Sequence, residues 1–522
     1  MSCRLVVVLS LLLLPAAQSR AQSSGASVAT ALKNGDRAAA RRLIEQRADV
    51  NAALLDGSTP LHFAAERDDA EFASLLIREG ANVNAVNRFG VPPLLVACST
   101  GSAATIEVLV KAGADPNSAL PEGETALMAA ARAGRLAPVK LLLASGANAN
   151  AREAWRSQTA LMWAASEGHA EVISELAGAG ADLAARAVGG FTPLLFAVRG
   201  GHVDAVRVLL AAGAGINDPG SDGTSALSLA IINAHFELAA LLLDGGADPN
   251  AADPRGSALH AVTWMRNTGY TAAPPRVPTG TLDSLDLARA LLKRGANPNA
   301  RIAWKEVPFD RDRGTVKSPP SISIGRNWLS FVGATPFFLA AKGADLPLMR
   351  LLVDAGADPL LPTVQNVTPL MVAAGLGFWD GESPGPESGV SEAQALEAIK
   401  LTIEAGNDLN AVTDYGNTVI EGDSQVLLRR HPLNLSDFDE RALGDMRWGG
   451  STALHGAALR GANSIVKYLV DRGARVDAPN KLGWTPLTVA SGVFVANTEK
   501  RWPSTIALLD DLRRTANEGA PR

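Results

Sequence analysis

A short phrase recurs along this chain of 522 residues. It consists of an apolar pair, then Gly-Ala, then an acidic or amide residue, then usually Asn-Ala. One copy is Leu75-Leu76 before Gly80-Ala81-Asn82-Val83-Asn84-Ala85; another is Leu241-Leu242-Leu243 before Gly246-Ala247-Asp248-Pro249-Asn250-Ala251. The glycines Gly80, Gly113, Gly146, Gly180, Gly213 and Gly246 are 33, 33, 34, 33 and 33 residues apart. Later copies at Gly295, Gly356, Gly406 and Gly473 follow at steps of 49, 61, 50 and 67. A period near 33 is one supersecondary unit stacked many times, not a single closed core.

Residues 57–90 show the order within a period. Thr59-Pro60 opens a helix with a hydroxyl cap and a proline in the first turn, where the missing N–H costs nothing. Leu61, Ala64 and Ala65 share one face of that short helix, and a polar break at Glu66-Arg67-Asp68-Asp69 ends it. A second helix carries Phe72, Leu75 and Leu76 at helical spacing, and Gly80 is the expected left-handed C-cap. Helices this short are marginal alone and need neighbours for their apolar faces. The low aromatic content, 5%, leaves Ala, Leu and Val to build a thin, closely stacked interior.

Matching openings occur at Thr59-Pro60-Leu61-His62, Thr125-Ala126-Leu127, Thr159-Ala160-Leu161, Thr192-Pro193-Leu194, Thr368-Pro369-Leu370, Thr452-Ala453-Leu454-His455 and Thr485-Pro486-Leu487, among others. With the Gly-Ala phrases, these make the chain resemble an ankyrin-repeat protein. About twelve units run from roughly Gly25 to Arg514. The resemblance implies an all-α solenoid of helix-turn-helix units with projecting finger turns, whose concave surface of inner helices and fingers binds other proteins without catalysis.

The second half departs from the period. Extra residues fall inside a helix pair at 263–285 and 375–392, and in the finger between pairs at 301–332 and 415–450. They are rich in Pro and Gly, yet 11 of the 25 aromatics lie in or beside them. Disordered linkers are poor in aromatics, so these insertions are expected to fold onto the solenoid. Trp304, Trp328, Trp379 and Trp448 are the candidates for a site built by them.

Arg4, the apolar run Leu5–Leu14, Pro15 and small residues near Ala21 read as a bacterial export signal over 1–21. That run is too short to span a bilayer, which takes about 20 residues. Regular repeats are expected over 22–262, repeats with insertions over 263–514 and a flexible tail over 515–522. Only Cys3 and Cys98 occur, so signal removal leaves one thiol and no internal disulfide. With a formal charge of −5, the chain has no net positive field to hold a nucleic acid.

Six of seven histidines sit in repeat slots: His62, His260 and His455 in the helix opening, His169, His202 and His235 before the outer helix. None has metal-ligand spacing. No phosphate loop, His-Glu-x-x-His, Cys-x-x-Cys or Gly-x-Ser-x-Gly occurs, and neither cofactor nor metal is expected. In the ankyrin pattern that the chain resembles, positions at fingers and inner-helix ends are free to vary, and the resemblance thereby nominates a binding surface here: Arg88, Phe89, Arg132, Trp155, Arg156, Phe191, Arg199, Lys342, Arg460 and Trp484. Trp, Phe and Arg dominate binding hot spots. Phe63, Trp163 and Phe196 are expected to face the core. The reading is a periplasmic or secreted, monomeric, non-catalytic scaffold for a protein partner. Two alternatives stand beside it: a small-molecule, glycan or enzymatic pocket formed by the insertion aromatics, and a structural spacer in an envelope assembly.

Overall fold

The computed structural model describes residues 27–251, 253, 256–266, 278–303, 329, 331–377, 391–415, 448–493 and 501–518. Those residues form 24 helices, with one isolated β-bridge between Ala119 and Thr125. Two compact units divide the chain, residues 1–182 and 183–522. Within each, first helix packs on first helix and second on second along the stack, the arrangement of an ankyrin-repeat α-solenoid.

The N-terminal unit holds five helix pairs: Val28–Lys33 with Arg37–Glu45, Pro60–Glu66 with Ala70–Arg78, Pro93–Thr100 with Ala103–Lys111, Ala126–Arg132 with Leu136–Ala144, and Ala160–Glu167 with Ala170–Gly178. Ala64, Ala65, Ala130, Ala164 and Ala165 are buried between inner helices, and Leu76, Leu109, Leu142 and Leu176 fill the outer layer. Truncating any of these leucines to Ala should cost about 2–5 kcal/mol. Phe63 is buried as expected, whereas Trp163 is half-buried.

Sequence determines each joint. The Thr59 N–H donates to His62 Nδ1 at 3.1 Å, so Nε2 carries the ring proton and donates to the Val91 carbonyl of the next finger at 2.8 Å. Gly80, at φ 88°, closes its helix, with the Ala81 N–H returning to the Leu76 carbonyl. Beyond it an asparagine forms a rung to the next repeat. Asn51, Asn84, Asn117 and Asn150 donate through Nδ2 to the carbonyls of Gly80, Gly113, Gly146 and Gly180 at 2.9, 3.0, 3.1 and 3.0 Å. Each Oδ1 accepts an N–H two residues further on, from Asn82, Asp115, Asn148 and Asp182. One amide side chain thus satisfies a helix-end acceptor and a loop donor of its neighbour.

The C-terminal unit holds seven pairs, from Pro193–Gly200 with Val203–Ala211 to Pro486–Ala490 with Pro503–Glu518. The same rungs recur from Asn217, Asn250, Asn299 and Asn410 to Gly246, Gly295, Gly356 and Gly473. Leu360 stands at that offset after Gly356. Here too the openings bind ahead, His260 to the Ala334 carbonyl at 3.1 Å and His455 to Trp484 at 2.9 Å.

Each insertion contains a stretch outside the described residues, but its stems are anchored. Trp264 meets Phe331 edge to face at 5.8 Å, and Phe331, Tyr415 and Trp448 are buried. Arg266 donates to Asp345 Oδ1 and Ser284 Oγ, both at 2.9 Å, tying an inner helix to the starts of two outer helices. The Glu237 carboxylate receives the N–H groups of Thr281 and Leu282, which fastens the returning chain to the preceding outer helix. The expected export signal, Trp304, Trp328 and Trp379 lie outside the described residues; of the tail expected to be flexible over 515–522, residues 515–518 instead continue helix Pro503–Glu518, and 519–522 lie outside the described residues.

Candidate interaction surface

In the N-terminal unit the nominated residues fall on finger tips and inner-helix ends. Neighbouring fingers are tied side by side: Arg88 N–H donates to the Asp56 carbonyl at 2.9 Å and Ala154 N–H to Glu122 at 2.7 Å. Asn87 braces its own finger, its Oδ1 accepting from Phe89 N–H at 2.9 Å and Val91 N–H at 3.0 Å. On this fixed backbone Phe89 is 70% exposed and Arg88 is exposed beside it. A large apolar side chain held in water on a rigid turn contributes nothing to the core.

The finger at 150–159 carries the extra residue of the 34-residue step. Its left-handed position is taken by Ser157, φ 58°, where the neighbouring fingers place Gly90 and Gly123. Glu153, only 7% exposed, turns its carboxylate back under the loop. It accepts from the N–H groups of Trp155 at 2.6 Å, Arg156 at 2.9 Å and Gln158 at 2.9 Å. Burial pulls the Glu153 carboxyl upward, but the bonds from Gln158, Arg156 and Trp155 outweigh it and hold it below the usual carboxylate range. On top stands Trp155, 77% exposed, with the Arg156 guanidinium 4.7 Å from its ring.

Arg132, at an inner-helix end, lies over the half-buried Trp163 at 4.7 Å and pairs with Glu124 at 3.3 Å. Trp163 in turn donates to Gln158 Oε1 at 3.1 Å, linking the long finger to the inner helix behind it.

In the C-terminal unit Arg199 packs over Phe191 at 5.4 Å and Phe196 at 5.1 Å. Phe191 is half-buried, Phe196 buried and Arg199 exposed. Arg460 and Trp484 are half-buried; the Trp484 carbonyl accepts the His455 proton. Lys342 is buried at the end of helix Pro336–Lys342, so in this structure it does not face solvent. Trp448 is wholly buried, and its indole N–H has no hydrogen-bond partner among the described residues.

Sequence reasoning missed Leu55, 87% exposed on the finger before Phe89, and the bracing role of Glu153. The 34-residue step from Gly146 to Gly180 was the available signal for the second. Among the described residues no group of three or more His, Cys, Asp or Glu could hold a metal ion, and no helix is long and apolar enough to cross a membrane. Cys98 is buried, which pushes its thiol up to about 12, a structural rather than nucleophilic setting.

Comparison with known proteins agrees with this architecture. A family model described as ankyrin repeats (3 copies) matches residues 28–120, 114–187 and 161–253, and a single ankyrin-repeat model matches 449–481. These matches and the fold together support assignment to the ankyrin-repeat family, whose repeats are in general protein-interaction modules rather than catalysts.

Among individual relatives, human ankyrin repeat and SOCS box protein 16 is 32% identical over 220 residues, 39% of this chain and 44% of that protein. Human ankyrin repeat and MYND domain-containing protein 1 is 28% identical over 246 residues, 40% of this chain and 24% of that protein. Ankyrin repeat protein OPG189 of Variola virus is 42% identical over 102 residues, 18% of this chain and 17% of that protein. The chain spans less than half the length of each of these relatives. They are human and viral, and so lend no support to a bacterial origin.

Proposed function

We propose that this protein is a non-catalytic scaffold that binds a protein partner through finger tips and inner-helix ends of the N-terminal unit, with Phe89 and the Trp155–Arg156 pair as anchors. What supports the reading is that both aromatics stand mostly in solvent on turns whose backbones are braced from within. A preformed surface loses little conformational freedom on binding, and a few exposed Trp, Tyr or Arg side chains commonly carry most of the affinity. Arg132, stacked on Trp163, supplies an adjacent charge whose direction is already set.

The test replaces Phe89 and Trp155 together with Ala in the full chain. We expect the melting midpoint to stay within about 2 °C, because exposed surface substitutions are near neutral. Recovery of the partner that co-purifies with the wild-type chain should fall at least tenfold, the loss of about 1.4 kcal/mol or more that hot-spot truncation brings. Undiminished recovery would reject this face. Export remains part of the proposal: N-terminal sequencing of the chain from its source cells should begin near residue 22, and an intact Met1 would reject the signal.

A further inference from the structure

We infer that Glu153 is the positioning residue of the Trp155 anchor: it meets no partner itself, but sets where the indole and the stacked Arg156 stand. This rests on the partner-binding reading of the finger and adds to it the residue that controls its geometry.

The two preceding fingers show what the longer loop changes. The ordinary-length finger at 84–93 is braced by the short Asn87 side chain, which accepts from the N–H groups of Phe89 and Val91, whereas the finger beside 150–159 has Leu120 at that place, which cannot accept. The 150–159 finger is one residue longer, and its closing backbone bond runs from Glu153 N–H to the Gln158 carbonyl at 3.1 Å. The matching bonds in the two preceding fingers join Asn87 N–H to the Val91 carbonyl and Leu120 N–H to the Glu124 carbonyl, each one residue closer. A longer turn places its N–H groups further from the base, and glutamate has one more methylene than asparagine with which to reach them. Both carboxylate oxygens are used, Oε2 by Trp155 and both by Arg156, while Oε1 also takes Gln158.

Three donors converging on one buried acceptor leave the turn a single arrangement. They point the indole outward and leave Arg156 to lie on it at 4.7 Å. Without the brace these N–H groups can turn to water. Trp155 would then have to be ordered when a partner binds, a cost the native finger has already met during folding.

The experiment labels the full chain with 5-fluorotryptophan and follows the Trp155 resonance by fluorine NMR, assigned by its disappearance in Trp155→Phe. In the wild type that line should be as broad as those of buried tryptophans and displaced from the free-peptide position. Glu153→Ala should narrow it several-fold and move it to the free position, while the lines of tryptophans other than Trp163, which bonds to Gln158 of the same finger, stay unchanged and the chain remains folded with only a modest fall in melting midpoint. Glu153→Gln keeps one acceptor oxygen and should restore most of the shift; Glu153→Asp, one methylene short, should not. A Trp155 line indifferent to Glu153→Ala would overturn the inference.

A second arm keeps its failure distinct from that of the binding reading. If Trp155→Ala abolishes partner recovery, Glu153→Ala should weaken it by about tenfold through slower ordering of the anchor; full retention would again overturn the positioning role. If Trp155→Ala leaves recovery intact, the binding reading of this finger falls, and the fluorine spectra alone decide what Glu153 does.

Discussion

Histidines 260 and 455 each give up the charged state in order to build a joint. Both rings are buried, and burial drives each down to about 4, against the slight upward pull of the carbonyl it serves. The unfolded rings titrate near 6.5. Between those values the unfolded chain takes up protons that the folded chain refuses, so stability should fall as pH drops from about 6.5 toward 4 and level off below. At full effect each ring is worth about 3 kcal/mol. Thermal unfolding of the chain between pH 7 and pH 4.5 should show a steep loss; a midpoint flat over that window would contradict the neutral, doubly bonded rings. The histidines were legible because their slot in the Ser/Thr-x-Leu-His opening fixes the partner atoms. Glu153 was not, since one acidic residue in a finger reads as solvent-facing until the loop around it is seen to fold over.

Among elements, the finger and the turn between paired helices recur with the same bonds but different side chains. In three repeats the carbonyl two residues before the inner-helix glycine takes a donor from the next repeat: Arg132 from His169 at 3.0 Å, Arg199 from His235 at 3.3 Å, and Leu459 from the Trp502 indole at 2.9 Å. The glycines make room for these rings. A methyl on Gly134, φ 68°, would stand 2.6 Å from His169 Cε1. Gly134→Ala should therefore destabilise the N-terminal unit by about 2 kcal/mol, combining left-handed strain with a weakened bond, as denaturant titration would read.

The asparagine rung has an opposite test. Leu360 stands where the rung residue belongs, close to Gly406 with its Cδ2 3.9 Å from a Cβ built there. Leu360→Asn should raise the stability of the C-terminal unit by about 1 kcal/mol; no gain would show that this joint is set by other contacts. Rungs and openings could be read from sequence because each uses a fixed residue at a fixed offset. The substitution of Trp502 for a histidine could not, because an indole and an imidazole share only the N–H that matters there.

On the scale of the molecule, each pair of the stack covers the apolar face of the one before it, and the pair Pro486–Ala490 with Pro503–Glu518 is such a cover. Trp502 lies against Gly461 and donates to Leu459, and Leu509 of helix Pro503–Glu518 is buried. Ending the chain after Gly483 would strip both from the pair before it. We expect such a truncation to expose apolar surface and to aggregate at concentrations where the full chain does not, a difference that light scattering would register. The repeat architecture was legible from the period alone, since a dozen copies of one phrase leave little choice of fold. How the insertions are held was not: it depends on pairs such as Arg266–Asp345, 79 residues apart, to which no periodicity points.

The asparagine rung also explains how so irregular a C-terminal unit can keep its own repeats in register. The same amide-to-glycine bond joins residues 29 apart at Asn84, 45 at Asn250, 57 at Asn299 and 63 at Asn410. What registers the stack is therefore the count of repeats and not the count of residues. Chain can be spliced in or cut out between two rungs, and the coil above it need not shift, provided both ends return to the places they left.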